Sequence, residues 1–505
     1  MRIGIIGAGI SGIVAAHMLT KTGHSVVLFE KSTDLGGVWA LGYPGVKLQN
    51  TGQHYRISDI PWSTPPDLHP TSAQIREYIN QAVEQMRLDI RSGHEVTAME
   101  EQAEGWRLKY RNDEGEKEED FDFVVVAIGQ YTEGKHKPDF PGQSSFSGEI
   151  ITERDVNDLD VFNNKNIAVV GFGKSAVDMA TFATQRAKSV HHVFRTPRWL
   201  IPFYIFGIHY AHLMFCRMTT TLIPSWAQPN CFERFLHEKL QFLIRANWNF
   251  IAFIIRLHCR FYGIGKTDNA KAGLSKVIPE HYIVGDFRSA AAMAPEFYYQ
   301  NIADEKIVPH HSELDCFVEN GLKLKDGNLI ECNQVVLSVG SESPQFPFFP
   351  EKYRSMLEAE NDGVQLYRHL IHPDIPNVAF AGFNHGFMHV PAAEVGMLWL
   401  SAYLAGDLQL PSKEHMRQSI RQVLEWKRAN INYEPSRSCA VNNRFQQYID
   451  IMLKELGLSP YRKMPNVFAE IFSQYGAEDY RDLLAEYKKI RENSSSPRQV
   501  LELDT

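Results

Sequence analysis

Two glycine-rich segments of this sequence have the composition of phosphate-binding turns. The first reads GAGISG at residues 7–12, and the second reads GFGKSA at residues 171–176. Glycines at this spacing permit a tight turn, let backbone amides approach a pyrophosphate, and let the following helix pack closely on its strand. The N-terminal end of that helix adds partial positive charge for the phosphates. Because the spacing alone is common, the flanking elements decide whether each segment binds a dinucleotide.

The first segment is flanked by the elements that a dinucleotide-binding turn requires. The apolar run at residues 2–6 predicts a strand before it, and residues 13–22 predict a helix with one small, apolar face after it. A second strand is predicted at 25–29, and Glu30 stands at its end. A carboxylate at this position can accept hydrogen bonds from both hydroxyls of a ribose. The full pattern indicates a bound dinucleotide rather than a plain turn.

FAD is favoured over NAD at this first site by its position and by the residues that follow it. The sequence GGVW at 36–39 lies just after Glu30. Paired glycines let the chain pass close to a flat ligand, and a tryptophan can pack beside one, although a loop with a core tryptophan is the alternative. The residues predicted here to contact FAD are Gly7, Gly9, Ser11, Gly12, Glu30, Gly37, Val38 and Trp39.

The second segment has the same flanking elements but a different residue at the end of its second strand. Strands are predicted at 166–170 and 190–194, with a helix at 177–186 between them. Arg195 follows the second strand, where an acid would repel a 2′-phosphate and a guanidinium attracts one. This site is therefore predicted to prefer NADPH over NADH, the alternative being that Arg195 is a solvated surface charge. The predicted contacts are Gly171, Gly173, Lys174, Ser175, Arg195 and Thr196.

Two dinucleotide units in one chain predict an α/β protein with two dinucleotide-binding, Rossmann-like domains, in which NADPH passes a hydride to FAD. Strands predicted at 121–128 and 334–339 end at Gly129 and Gly340, which we interpret as the two crossings between the domains and as further cofactor contacts. The FAD domain is then discontinuous. The predicted division is an FAD-binding domain at 1–150 and 334–410, an NADPH-binding domain at 151–333, and a helical C-terminal extension at 411–505 that is disordered from Ser494.

Residues 199–280, an insert in the NADPH domain, are unusually rich in Phe, Tyr, Ile and His. Apolar stretches at 201–215 and 248–261 are interrupted by histidine and arginine, and neither reaches the ~20 apolar residues that cross a membrane. We expect helices that cover the NADPH domain. Two alternatives stay open, an apolar substrate channel and a patch that rests peripherally on a membrane surface.

Composition and net charge exclude some classes of function. Apolar residues make up 44% and charged residues 22%, as in an ordinary globular protein, and the formal net charge is −8. A mildly acidic chain argues against nucleic acid as a partner, because phosphate binding needs a basic face. No residues have the spacing of a metal site, and the strand at 2–6 leaves no room for a targeting segment. We expect a cytoplasmic protein with membrane contact only through the insert, and the oligomeric state is open.

In order and spacing, the motifs at residues 1 to about 410 resemble those of the flavin-containing monooxygenases. They comprise the two glycine turns, the GGVW segment, LQN at 48–50, SDIPW at 58–62 and RTPRW at 195–199. They are most similar to the plant branch, which includes S-oxygenases, amine N-hydroxylases and auxin-forming decarboxylases. The resemblance implies that NADPH reduces FAD and that dioxygen adds to the reduced flavin. The resulting hydroperoxide, protected by retained NADP⁺, would oxygenate the nitrogen or sulfur of a small molecule.

Asn50 is the catalytic candidate that the resemblance implies, because an amide can donate hydrogen bonds to an oxygen adduct and to NADP⁺ without titrating. The alternative is a turn-forming Asn-Thr-Gly. The resemblance also places Gln49 and Asp59 among the expected FAD contacts. One of His385 and His389, in the closing segment, is expected to line the pocket.

One departure from the family pattern stands in the link between the two units. The pattern F-x-G-x-x-x-H-x-x-x-Y/F is matched at Phe146 and Gly148, but Thr152 and Val156 replace its histidine and its terminal aromatic residue. This change leaves open a flavin-dependent NADPH oxidase or reductase that does not oxygenate. Baeyer–Villiger oxygenation of a ketone is the other alternative, since only the ionisation state of the oxygen donor separates it from N- or S-oxygenation.

Overall fold

The computed structural model describes residues 1–130, 134–223, 230–289, 292–431, 444–493 and 496–500. Two five-stranded, wholly parallel sheets organise these residues, and helices and smaller sheets surround them. This arrangement confirms the predicted α/β class with two Rossmann-like units.

The strands are β1 (Arg2–Ile6), β2 (Ser25–Glu30), β3 (Ile90–Ser92), β4 (Glu95–Gln102), β5 (Gly105–Asn112), β6 (Gly115–Phe121), β7 (Phe123–Val126), β8 (Glu149–Thr152), β9 (Asn166–Val170), β10 (Ser189–Phe194), β11 (Leu200–Ile201), β12 (Tyr204–Ile205), β13 (Ile208–His209), β14 (Ala292–Met293), β15 (Ile307–His311), β16 (Leu314–Val318), β17 (Gly321–Leu324), β18 (Leu329–Glu331), β19 (Gln334–Leu337), β20 (Val378–Phe380), β21 (Leu408–Gln409) and β22 (Arg498–Gln499). The helices are α1 (Ile10–Lys21), α2 (Ser72–Met86), α3 (Lys174–Ala183), α4 (Ala211–Met214), α5 (Arg217–Thr221), α6 (Cys231–Lys239), α7 (Gln241–Phe261), α8 (Asp268–Lys276), α9 (Ile283–Ser289), α10 (Tyr298–Ala303), α11 (Glu351–Leu357), α12 (His389–Leu404), α13 (Lys413–Asn430), α14 (Phe445–Glu455), α15 (Val467–Phe472) and α16 (Leu483–Glu492).

The first sheet contains the first glycine turn and joins strands from distant parts of the chain. Its order is β20-β7-β1-β2-β3, with β1 paired in parallel to both β2 and β7. The chain runs outward from β1 through β2 to β3 on one side, whereas β7 and β20 lie on the other. The turn after β1 therefore opens at the point where the strand order reverses, which is where parallel sheets bind ligands.

The second sheet has the order β15-β10-β9-β19-β8, and β9 and β10 flank the second glycine turn. β19 is wholly buried and pairs in parallel with both β9 and β8. The domain boundary predicted at residue 334 is therefore wrong, because this strand completes the second sheet rather than the first. The return to the first sheet follows β19, towards Gly340.

Close backbone approach explains the glycines of both turns. Gly7 has a φ of 105°, in the left-handed region, and a Cβ on Gly12 would lie 1.9 Å from the Gly7 carbonyl oxygen. Gly171 has a φ of 127°, and a Cβ there would lie 2.2 Å from the Ser338 carbonyl oxygen. The glycines thus bring the first turn of α1 and of α3 directly against the ends of the neighbouring strands. As a result, both helices begin three residues before their predicted starts.

The insert is less helical than predicted. The stretch at 201–215 forms β11, β12, β13 and the short α4 instead of one helix. Pro202 lacks the amide hydrogen that a helix interior needs, and the β12–β13 turn has positive φ at Phe206 (48°) and Gly207 (83°), as a two-residue hairpin requires. The stretch at 248–261 does lie in a helix, α7. Within the described ranges, no helix is long and apolar enough to cross a membrane.

The described part of the C-terminal extension contains the four helices α13 to α16, and its end is partly ordered. The disorder predicted from Ser494 is wrong for residues 498–500, because β22 pairs in parallel with β21 and Val500 is buried. Backbone pairing and one buried apolar side chain thus order a segment whose polar composition predicted otherwise. The remainder of that prediction, residues 494–495 and 501–505, lies outside the described residues.

The contact between Gly12 and Gly7 leads to the first prediction. Gly12→Ala should lower the free energy of unfolding of the FAD-free protein by roughly 1–3 kcal/mol, because the new methyl overlaps a backbone oxygen that cannot move away freely. Gly173→Ala is the matched control, since a Cβ at Gly173 meets no atom within 4 Å and its φ of −79° suits any residue. Urea unfolding of both variants measures the difference. Equal stability of the two variants would contradict the packing role of Gly12.

Candidate functional site

A cleft of about 2620 Å³ lies where the glycine turns of the two sheets face each other. Small-molecule pockets usually have volumes of roughly 300–1,000 Å³. The cleft is therefore large enough for two dinucleotides with a substrate between them. Seventeen of the residues predicted as cofactor contacts line it, namely Gly7, Gly9, Ser11, Glu30, Gly37, Val38, Trp39, Gln49, Asn50, Gly129, Gly171, Gly173, Lys174, Ser175, Arg195, Thr196 and Gly340.

Two of the predicted contacts lie elsewhere. Gly12 is beneath the first turn, where it permits the helix packing described above. Asp59 does not line the cleft, and its prediction is wrong. Its carboxylate accepts hydrogen bonds from His17 Nε2 at 3.0 Å and Lys21 Nζ at 2.5 Å, both on α1. The side chain thus faces α1, although its sequence neighbours lead towards the cleft.

The Glu30 carboxylate holds the first glycine turn against the end of β2. Its Oε2 accepts a hydrogen bond from the Ala8 amide at 2.8 Å, and its Oε1 accepts one from the Ser32 amide at 2.9 Å. Glu30 is almost fully buried but still lines the cleft. Because each carboxylate oxygen has a further lone pair, this arrangement can also accept from ribose hydroxyls.

The segment at 36–39 crosses directly over the first glycine turn. A Cβ on Gly37 would lie 3.2 Å from the Cα of Gly9, so the two glycines nearly touch. Trp39 donates from its indole nitrogen to the Tyr55 hydroxyl at 2.6 Å, and the two rings meet edge to face. The tryptophan thus packs against Tyr55 in the protein, while this segment lines one side of the cleft.

The closing segment brings two neutral histidines to the first turn. His389 begins α12, and its Nε2 lies 2.9 Å from the Ser11 hydroxyl. Burial lowers the pKa of His389 to about 3 and that of His385 to about 4, so both rings are neutral at pH 7. Both line the cleft, and within the described structure the buried Nδ1 of His389 has no hydrogen-bond partner. An unpaired buried ring nitrogen is suited to a ligand atom.

Gln49 and Asn50 connect the first sheet's loops to the closing segment and the insert. The Asn50 side-chain amide donates to the Phe387 carbonyl at 2.6 Å. Gln49 Oε1 accepts from the Met293 amide at 2.9 Å, and the Gln49 carbonyl accepts from the Tyr210 hydroxyl. The carboxamide of Asn50 is therefore fixed in orientation at the wall of the cleft, as a group that orients a reactant must be.

At the second turn, the two residues predicted to bind phosphate, Lys174 and Arg195, differ in ion pairing and in solvent exposure. The Lys174 amine pairs with Asp178 one helical turn along α3, and the buried Asp178 also accepts from the Tyr43 hydroxyl at 2.7 Å. The Arg195 side chain is 78% exposed, and its guanidinium is 3.9 Å from the nearest oxygen of Glu313. Arg195 is thus available to a phosphate, whereas Lys174 would first have to leave Asp178.

Sequence reasoning missed the buried Asp286 of α9, which organises the wall opposite the first turn. It accepts hydrogen bonds from the Trp199 amide at 2.8 Å, His281 Nε2 at 2.8 Å and Arg198 at 3.1 Å. Burial raises the pKa of Asp286, but the hydrogen bonds from His281 and Trp199 outweigh it and leave that pKa below its ordinary value. Arg198 and His281, held in this way, both line the cleft. No local pattern marks a contact between residues so far apart in sequence.

The residues present fit two dinucleotides. In both turns the central glycine leaves open space, since a Cβ would meet nothing within 4 Å at Gly173 and only the Cα of Gly37, at 3.8 Å, at Gly9. Neither α1 nor α3 has an acidic residue in its first turn, so each presents an uncompensated positive helix end to the cleft. These are the properties of a pyrophosphate cradle.

Comparison with known proteins agrees with this geometry. A sequence-family model described as pyridine nucleotide-disulphide oxidoreductase matches residues 4–202. The probable flavin-containing monooxygenase 1 of Arabidopsis thaliana is 29% identical and covers 95% of this chain and 96% of its own. Over nearly its whole length, the chain is similar to flavin-containing monooxygenases. This likeness supports the assignment of the chain as a flavin-dependent monooxygenase.

Solved structures of flavin monooxygenases share the fold. Cyclohexanone-bound cyclohexanone monooxygenase has a TM-score of 0.66 at 18% identity and covers 97% of each chain. The S-allyl-L-cysteine S-oxygenase of Allium sativum has a TM-score of 0.62 at 17% identity and covers 98% of this chain and 99% of its own. At these identities the likeness shows the architecture alone.

The departure from the family pattern lies outside the cleft. Thr152 ends β8 and caps the turn that follows, because both its amide and its hydroxyl donate to Asp155, at 2.8 and 2.9 Å. Val156 is buried in the core. Neither residue lines the cleft, whereas Glu153 between them does. The replaced histidine and aromatic residue thus correspond here to positions that shape the link between the sheets.

A buried carboxyl on α12 leads to the second prediction. Burial raises the pKa of Glu394 to about 8, although Ser58 donates to it from both its amide and its hydroxyl. In an unfolded chain a glutamate has a pKa of roughly 4.3. The folded state therefore binds this proton more tightly, and the stability that it contributes is complete below about pH 4 and is lost as the pH rises through 8.

The variant Glu394→Gln carries no titratable proton and still accepts from Ser58. Its free energy of unfolding should gain roughly 1–4 kcal/mol relative to the wild type between pH 5 and pH 8. Urea unfolding of both proteins at a series of pH values measures this difference. Parallel pH profiles would show that Glu394 is ionised in the folded protein.

Proposed function

We propose that this monooxygenase uses NADPH to transfer one atom of dioxygen to a nitrogen or sulfur atom of a small molecule. The observation that carries the proposal is the neutral polar lining where the closing segment meets the first turn. Asn50 does not titrate there, and burial keeps His385 and His389 uncharged at pH 7. These three side chains supply no positive charge that would stabilise an anion. They favour a protonated, electrophilic oxygen donor, which reacts with the lone pairs of nitrogen and sulfur.

In this proposal the chain binds the cofactors, orients the reacting groups and excludes water from the cleft. FAD, when bound, supplies the chemistry by carrying electrons from NADPH to dioxygen. Glu30, at the end of β2, would accept from the ribose hydroxyls of FAD, and the Ser11 hydroxyl, which lies 2.9 Å from His389 Nε2, would donate to its pyrophosphate. Asn50, fixed by its bond to the Phe387 carbonyl, offers its second amide hydrogen to the reacting oxygen. The division into an FAD domain and an NADPH domain, with crossings near Gly129 and Gly340, belongs to the same proposal.

The S-allyl-L-cysteine S-oxygenase shares the fold over nearly the whole chain, so the architecture is compatible with the sulfur branch of the proposal. The lining of the cleft is consistent with an uncharged sulfide or amine. We therefore take a small thioether or a tertiary amine as the substrate class.

Baeyer–Villiger oxygenation of a ketone is the second candidate, and Arg198 is the observation that favours it. This guanidinium lines the cleft, and a cation there could stabilise an anionic, nucleophilic oxygen donor. However, the Asp286 carboxylate, 3.1 Å from Arg198, offsets this charge, so we prefer the electrophilic reaction.

Products labelled with ¹⁸O₂ distinguish these functions. The FAD-loaded enzyme and NADPH would be incubated with a thioether, a tertiary amine and a cyclic ketone, and the products analysed by mass spectrometry. The proposal predicts a sulfoxide or N-oxide that carries one ¹⁸O atom. A labelled lactone would establish the Baeyer–Villiger reaction instead. Consumption of NADPH with release of hydrogen peroxide from every substrate would identify an oxidase.

The exposed Arg195 leads to a prediction about the choice of nicotinamide cofactor. Arg195→Ala should weaken the binding of NADPH by a free energy of about 1.5–3 kcal/mol and leave that of NADH nearly unchanged, because only NADPH carries the 2′-phosphate. Arg186→Ala is the control, since Arg186 is an exposed arginine in the turn between α3 and β10 that does not line the cleft. KM values for both cofactors measure the effect. An equal loss for NADPH and NADH would refute the role of Arg195.

A further inference from the structure

Two consecutive helices of the insert, α6 and α7, turn large apolar side chains towards solvent. α7 buries Ile244, Trp248, Ala252, Ile255 and Cys259 against the protein. Its other side and the adjacent α6 expose six phenylalanines, each between 49% and 65% exposed: Phe232, Phe235, Phe242, Phe250, Phe253 and Phe261. Single exposed apolar residues are common, but a concentration of this kind on two consecutive helices marks an interaction surface.

The β12–β13 hairpin extends this surface. Phe206 at its turn is 53% exposed, and its ring centroid lies 5.6 Å from that of Phe261 and 5.6 Å from that of His258. Tyr204 and Ile208, on either side of the turn, are more than half exposed as well. We call α6, α7 and this hairpin turn the insert face.

The insert face is cationic in an acidic protein. α7 contains no aspartate or glutamate, whereas the whole chain has a net charge of −8. Arg234, Lys239, Arg245 and Arg260 are exposed on α6 and α7, and among the described residues none of the four has a carboxylate partner. Exposed arginines elsewhere are commonly paired, as Arg107 is with Asp120. α6 also contains Glu233, which is buried near its start, and the exposed Glu238, so the insert face has an excess of positive charge rather than a purely cationic surface.

We propose that the insert face binds the surface of a lipid bilayer that carries anionic headgroups. Exposed phenylalanines together with unpaired arginine and lysine are the signature of a helix that lies in the membrane interface, where rings enter the acyl region and cations meet the headgroups. α7 lies on the bilayer rather than across it, since none of the helices described for this chain meets the requirement for a span. A second copy of the chain fits less well, because a two-fold contact would place the same unpaired cations against each other.

Vesicle binding by the FAD-loaded, full-length protein tests the proposal. The probes are vesicles of phosphatidylcholine alone and of phosphatidylcholine with phosphatidylglycerol, in co-sedimentation at low and high ionic strength. The wild type should bind the anionic vesicles, and high salt should weaken this binding. Phe250→Ser/Phe253→Ser should lower the partition coefficient by roughly tenfold or more. Arg245→Glu/Arg260→Glu should lower it by roughly fivefold for each unit of charge changed.

Matched controls change the same properties outside the insert face. Leu329→Ser removes a side chain that is 68% exposed on β18, and Lys188→Glu/Lys323→Glu makes the same change in net charge. Both should bind as the wild type does, and FAD content and thermal unfolding should be unchanged in every variant.

Three results would overturn the proposal. The first is a wild type that does not sediment with anionic vesicles. The second is Phe250→Ser/Phe253→Ser binding as tightly as the wild type. The third is a wild-type dimer in gel filtration that becomes a monomer in the phenylalanine variant, with no vesicle binding by either protein. This last outcome would assign the insert face to a second copy of the chain.

Discussion

The contact of a helix N-terminus with the end of a parallel strand is the constraint on which the rest of this site depends. At the first turn only a hydrogen atom on the α-carbon of Gly12 leaves room for the Gly7 carbonyl oxygen, 1.9 Å from where a Cβ would stand. This close packing points the positive end of α1 into the cleft. Glu30 can then reach the Ala8 amide from the end of β2, and Ser11 reaches His389. The close contact between Gly12 and Gly7 thus helps to position Glu30, Ser11 and the N-terminus of α1.

Features that depend on local sequence could be predicted, and those that depend on distant contacts could not. β1 and β9 occupy the predicted residues, because an apolar run that ends at a glycine turn carries its own signal. The bond from His389 to Ser11 and the position of Asp286 beside Trp199 join segments far apart in sequence, and neither segment contains a pattern that names its partner. β19 shows the same limit, since its sequence predicts a buried strand but not which sheet it completes.

The link between the two sheets shows how a family pattern can change without a change in the cleft. Thr152 forms a capping arrangement with Asp155, and this local bonding satisfies the backbone at the end of β8 without a histidine. Val156 fills the core. Glu153 between them retains contacts with Lys135 and Ser338, next to the second glycine turn. The two replaced positions therefore stabilise the local structure at the end of β8, beside a residue that lines the cleft.

The helices α12 and α7 have a similar share of apolar residues but differ in burial. This difference indicates that α7 has a role beyond packing. α12 is buried along nearly its whole length between α1 and α14, so every apolar residue on it contributes to the core. A helix that only covers a sheet needs one apolar stripe and gains stability from a polar outer side. α7 has that stripe, yet its outer side exposes Phe250 and Phe253 to water, where they add nothing to the core and promote aggregation. The stability of the fold does not explain why these residues are exposed. The outer side of α7 is therefore suited to an interaction with something outside this chain.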